Sequence, residues 1–168
     1  MRAITHQEYL ATVKAAGLKP KFIAELRPKV DNRTDWDERD FLAIADRSGN
    51  VGILWIELPD GVHILPFELR RGIVDKATGR AKPVICDLCF TQQLGTNAAR
   101  LTITMPKAEG TRGFLVCADL ACSAHVRGLT MAGIKSKAQL RETISTEAKI
   151  ERLQKRLADL VASLEKSA

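Results

Sequence analysis

The sequence predicts an α+β fold: a small antiparallel β meander and a cysteine-bearing hairpin segment, with an N-terminal helix before them and a long C-terminal amphipathic helix after them. Three observations predict it. Apolar residues between Phe41 and Leu69 fall in three short runs separated by glycine-bearing turns. Four cysteines, all that the chain has, form two close pairs between residues 86 and 122. Aliphatic residues then recur at spacings of three and four from Ile150 to Leu164. The 168 residues are 45% hydrophobic and 27% charged, enough for a core and too apolar for a disordered chain.

Each element has a local reason. From Thr5, an N-cap residue, the positions Tyr9, Leu10, Val13 and Ala16 share one helical face, and Gly17 stops the helix. A second short helix runs from Pro20 to Leu26 and ends at the Arg27-Pro28 step, because a residue before proline disfavours helical dihedrals. Asp31 to Asp40 is an acidic connection containing Trp36. Strands are expected over Phe41–Ala45, Val51–Leu58 and Val62–Leu69, joined by the turn sequences Asp46-Arg47-Ser48-Gly49-Asn50 and Pro59-Asp60-Gly61. Arg70 to Pro83, with five basic residues, reads as an exposed connection. Beyond it, Ala99–Met105 and Phe114–Val116 form a hairpin, Asp119–Val126 starts a short helix that Gly128 breaks, and a long helix begins at Ser145. The leucine stripe of that helix lasts little more than two heptads, so it is expected to pack within the chain, leaving a monomer.

Charge is unevenly distributed. The chain carries 26 Lys and Arg against 20 Asp and Glu, a formal +6. Residues 1–69 sum to −2, residues 70–141 to +8 and residues 142–168 to zero, so the excess lies in the segment that holds the cysteines. Such a segment attracts acidic proteins and phosphate backbones. No apolar stretch approaches the ~20 residues that span a bilayer, and the start Met1-Arg2-Ala3-Ile4 lacks a signal-peptide core, so a cytoplasmic protein is expected. Catalysis finds little support. The three histidines, His6, His63 and His125, stand in unrelated contexts, and the chain has no phosphate-binding loop, nucleophile elbow or His-Glu-x-x-His motif.

The pattern Cys86-x-x-Cys89, a gap, then Cys117-x-x-x-x-Cys122 carries the most specific chemistry. Two close pairs separated by a hairpin can converge on one zinc ion in a closed structural site with no open position for a catalytic water. A knuckle at the first pair, a hairpin, and a helix whose first turn bears Cys122 together describe a treble-clef finger covering 86–128. Two disulfides would need an oxidising compartment, and a redox Cys-x-x-Cys would lack its strand-helix context and leave the second pair unexplained. His125 could replace a thiolate, but four thiolates already complete the shell, so it is expected beside the shell or at the surface.

These residues resemble a known family. Cys86-Asp87-Leu88-Cys89, Ile103-Thr104-Met105, and above all Val116-Cys117-Ala118-Asp119-Leu120-Ala121-Cys122-Ser123-Ala124-His125-Val126-Arg127-Gly128 look like the treble-clef zinc finger of the elongation-factor-G-binding, FusB-type fusidic-acid-resistance proteins. Trp36-Asp37-Glu38-Arg39-Asp40-Phe41-Leu42 and Ile144-Ser145-Thr146-Glu147-Ala148-Lys149-Ile150 are similar to members as well. The resemblance covers roughly Trp36 to the C-terminus and implies an elongation-factor-G-binding-type domain over 36–168, including the C-terminal helix 145–166, while 1–35 reads as an N-terminal helical extension in place of the family's full helical bundle. It implies that Cys86, Cys89, Cys117 and Cys122 hold one structural Zn2+. It implies binding to elongation factor G, with release of the factor from ribosomes on which it is stalled. Candidate contacts on the basic finger are Phe90, Lys107, Arg112, Arg127, Lys135 and Lys137. The alternative is direct binding to nucleic acid, foremost ribosomal RNA, through the same basic segment.

Overall fold

The computed structural model describes residues 1–28, 35–104, 110–134 and 143–165. The first helix, α1 (His6–Ala15), opens on a reciprocal capping box: Glu8 N donates to Thr5 Oγ1 at 3.1 Å and Thr5 N donates to the Glu8 carboxylate at 2.8 Å. Proline at its first turn starts α2 (Pro20–Glu25). A single 3-10 turn, Trp36–Glu38, then leads into the sheet.

Strands β1 (Phe41–Ala45), β2 (Val51–Leu58) and β3 (Gly61–Arg71) form the expected meander. The first turn is closed by Asp46, whose carboxylate accepts from the amides of Asn50 and Val51. Gly52 has a different reason to be glycine. A Cβ there would sit 2.3 Å from the Ile44 carbonyl oxygen, so a larger residue would push β1 and β2 apart.

Two extents need correction. Arg70 and Arg71, expected in an exposed connection, are the last residues of β3 because that strand gains a second partner, β6 (Ala98–Thr104), in the register Arg70↔Arg100 and Arg71↔Ala99. The returning strand, expected only over Phe114–Val116, is β7 (Thr111–Cys117), paired along the whole of β6. Pairing holds Thr111, Arg112 and Gly113 extended where no apolar alternation marks a strand. Two strands have no signature in the sequence: β4 (Pro83–Ile85) and β5 (Gln92–Leu94) form a separate ribbon around the first cysteine pair. Three residues are too few for alternation to be visible. Helices α3 (Cys122–Val126) and α4 (Met131–Ile134) follow, and α5 (Thr146–Glu165) is the long helix, with Ala148 N donating to Ser145 Oγ at its start.

The main sheet has the order β1-β2-β3-β6-β7, antiparallel throughout, so the finger hairpin continues the meander instead of forming its own layer. Alternation gives the sheet two apolar faces. On one, Leu54, Ile56, Phe67, Leu69, Leu101, Ile103 and Val116 pack with Leu153, Leu157, Leu160, Val161 and Leu164 of α5 and with the four cysteines. On the other, Leu42, Ile44, Ile53 and Trp55 pack under α1 and α2 through Tyr9, Val13 and Leu26. Among the described residues, no helix is long and apolar enough to cross a membrane.

Candidate metal centre

Each cysteine pair is shaped by a tight turn. At the first, Phe90 N donates to the Cys86 carbonyl at 2.9 Å, Cys86 N donates to the Thr91 carbonyl at 3.1 Å, and Cys89 N lies 3.5 Å from Cys86 Sγ. The turn closes only with Phe90 in the left-handed region at φ 60°, a conformation costing a bulky residue on the order of 1–3 kcal/mol. At the second, Cys117 ends β7 and Cys122 begins α3, Leu120 N donates to the Cys117 carbonyl at 3.0 Å, and Leu120 is left-handed too, at φ 53°. Both strained residues sit beside sulfur, where the local geometry is set by the centre.

The four sulfurs converge. Cys86 Sγ lies 3.7 Å from Cys122 Sγ and Cys89 Sγ 3.5 Å from Cys117 Sγ, all four lie within 4.8 Å of one another, and all four residues are buried. A tetrahedron of zinc–sulfur bonds of about 2.3 Å has edges of about 3.8 Å, which these separations match. They are far longer than a disulfide bond of about 2.05 Å. The donor set therefore fits one zinc ion in a closed tetrathiolate. Electrostatics point the same way. Hydrogen bonds from the Cys117, Cys122 and Cys89 sulfurs hold the Cys86 thiol far below the ordinary thiol value, whereas the hydrogen bonds of enclosed Cys122 to Cys117, Cys86 and Cys89, reinforced by burial, push its thiol well above. Four buried thiols cannot all ionise side by side without a cation among them. Four thiolates and one divalent cation carry −2, so the finger segment falls from a formal +8 to about +6.

A polar shell surrounds the sulfurs. Buried Gln93 on β5 directs Nε2 to Cys117 Sγ at 3.4 Å and lies 3.5 Å from His125 Nε2. His125 is buried beside the shell, bonded to Thr130 Oγ1 at 2.6 Å through Nδ1 and to Asp119 at 3.2 Å through Nε2. Burial lowers its pKa, but Asp119 together with the nearby Cys89 and Cys86 charges outweighs burial and the net shift is upward. Cys117, Asp119 and His125 offer a second group of ligand atoms within 4.8 Å, sharing Cys117 with the first. Asp87 clips the knuckle to the edge strand by accepting from Leu115 N at 2.6 Å and donating its own amide to the Leu115 carbonyl at 2.7 Å. Gln93 carries no recognisable motif, since a lone polar residue in a three-residue strand looks like surface, and Asp87 stands in the knuckle where any polar turn residue would fit.

The remaining candidate residues fall in different settings. Arg127 turns inward, donating to the two carboxylate oxygens of buried Asp40 at 2.6 and 3.3 Å and to the Ser123 carbonyl. Asp40 also accepts from Gln154 of α5, and its amide donates to Ser123 Oγ, so this cluster ties β1, α3 and α5 together. The half-buried ring of Phe90 lies under the guanidinium groups of Arg152 and Arg156, 4.3 and 4.9 Å from its centroid. Arg112 is exposed on the edge strand β7. Lys107, Lys135 and Lys137 lie outside the described residues. A 380 Å³ cleft between the knuckle and α5 is lined by Ile85, Phe90, Phe114, Arg156 and Asp159 among others.

The family model described as FBP C-terminal treble-clef zinc-finger matches residues 24–164. No curated protein and no solved structure matches the chain.

Proposed function

The chain belongs to the FBP C-terminal treble-clef zinc-finger family, the FusB-type finger that its cysteine block resembles, and from that membership we propose that it is a non-catalytic protein that binds elongation factor G. The observation that carries the reading is the match over residues 24–164, which includes the converged tetrathiolate and the whole sheet that the finger completes. The zinc is structural in this reading: it shapes a basic surface of about +6 that complements an acidic face of the factor. Arg112, exposed on the edge strand, is offered as a contact together with Phe90, Arg127, Lys107, Lys135 and Lys137. Of these, Phe90 would act as a rim of the cleft beside α5, and Arg127 would act by holding α3 in place through Asp40. Binding would promote release of factor stalled on the ribosome, in the cytoplasm. The test is association of the zinc-loaded full chain with purified elongation factor G. Complex formation is expected at low ionic strength and should weaken as salt rises; failure to associate at low salt, where attraction is greatest, rejects the reading.

A further inference from the structure

The sheet is covered unequally on its two sides. One face carries α5 and the sulfur centre across its width, whereas the other is covered by α1 and α2 only over β1, β2 and the start of β3. Over the rest of β3 and over β6 and β7 no element among the described residues covers this second face, and Glu68, Arg70, Arg100 and Gly113 are exposed. Since Leu69, Leu101, Ile103 and Val116 point to the covered side, alternation places Glu68, Arg70, Arg100, Thr102, Thr104 and Gly113 on the open one. The register sets Arg70 directly opposite Arg100. Their Cβ atoms are thus about 5 Å apart, an arrangement in which like charges repel. Neither guanidinium makes a hydrogen bond or ion pair among the described residues, and Glu68, one rung away opposite Thr102, pairs with neither. By contrast Arg2, Arg71 and Arg127 each donate to acceptors within the protein.

We propose that this open face binds the phosphate backbone of folded RNA without reading its base sequence. Two adjacent arginines present donors that can straddle a phosphate, and the threonine hydroxyls on neighbouring rungs add further donors of the kind that contact phosphate and sugar. An added Cβ at Gly113 would meet nothing within 4 Å, so the surface there is low and open to close approach. A protein partner needs an aromatic or apolar anchor at the centre of its interface. This face offers no aromatic side chain, and its Leu115, beside Arg100 in register, is half-buried. The same lack of aromatic rings speaks against stacking of unpaired bases and for contact with the backbone of a duplex.

The experiment titrates the zinc-loaded full chain into a fluorescent RNA duplex of about 16 base pairs at several salt concentrations. The wild type is expected to bind, and R70E/R100E to lose about tenfold or more in affinity with a salt slope shallower by about two, one for each phosphate contact removed. The comparison is K14E/K155E, which changes net charge equally at exposed positions on α1 and α5. Single Arg70→Gln and Arg100→Gln variants, checked for zinc content and melting, serve should the double variant fail to fold, and each is expected to weaken RNA binding. Absence of wild-type binding at low salt, or an equal loss in K14E/K155E, overturns the proposal. So does a loss of elongation factor G binding in R70E/R100E with RNA binding intact, which would assign the face to the protein. Retained factor binding with lost RNA binding supports it and leaves the reading of the finger untouched.

Discussion

The two sides of one sheet are held by different physics. Under α1 and α2 the chain buries large apolar side chains: Tyr9 and Val13 rest on Ile44, Ile53 and Trp55, with the Tyr9 and Trp55 ring centroids 6.3 Å apart. Burial there is strong enough that the Tyr9 hydroxyl and the Trp55 indole N–H have no hydrogen-bond partner among the described residues, and the Tyr9 phenol is pushed up by desolvation. On the sulfur side the elements that bear or flank the cysteines are too short to hold themselves. Strands β4 and β5 have three residues each and α3 has five, well below the ~12 at which an isolated helix becomes even marginal. What closes that side is a chelate plus the leucine stripe of α5. The lesson is that apolar periodicity suffices where the runs are long, and metal ligation takes over where they are not.

Breaking the chelate should have the largest effect. Cys117→Ser removes one of four ligands whose zinc contributes on the order of 10–16 kcal/mol of apparent binding energy. Loss of zinc by elemental analysis is expected, with amide exchange accelerating in β4, β5 and α3 while β1, β2 and α1 stay protected. One zinc per chain with unchanged melting would mean that the site is misassigned. Next comes the tie that holds α3 and α5 to the start of β1. Asp40→Ala leaves the Arg127 guanidinium, only 14% exposed, without its carboxylate, and should cost about 3–5 kcal/mol in denaturant unfolding with zinc retained. A cost below about 1 kcal/mol would show that α3 and α5 are held to the sheet without this cluster.

The smallest effect lies at the N-terminal cap. Glu8 has its pKa lowered to about 2, first by the hydrogen bond from the Thr5 amide and then by Arg2. A depressed folded value means that the contribution is present above the unfolded value of about 4.3 and is lost as pH falls from there toward the folded one. Amide exchange in α1 should therefore quicken over that acid range, and Glu8→Gln should abolish that dependence. Persistence of the dependence in the variant would place its origin elsewhere on α1.

Much of this was legible in residue order, for reasons that differ by element. Strands β1 and β2 lie where their apolar runs and the glycine-bearing turns put them, because both faces of the sheet are covered there and nearly every residue must be apolar. The Thr5 cap, the α5 stripe and the ligand quartet were visible because capping, helical periodicity and chelation each act over short sequence distance. Strand β7 was legible only in part, because Thr111, Arg112 and Gly113 owe their extension to β6. The spacing of His125 leaves it either beside the shell or at the surface, and its burial there depends on Gln93, Asp119 and Thr130, which only the folded chain brings together.

Composition and spacing alone determined an α+β chain with a four-cysteine zinc finger and a basic middle segment, since those properties reside in neighbouring residues. Tertiary structure decided the rest. It fused the finger hairpin to the meander as one five-stranded sheet, turned Arg127 inward to Asp40, and set Arg70 beside Arg100 on an open face. Strand register and long-range ion pairs join residues dozens of positions apart, and no local pattern encodes which of several possible partners a strand edge or a charged side chain will meet.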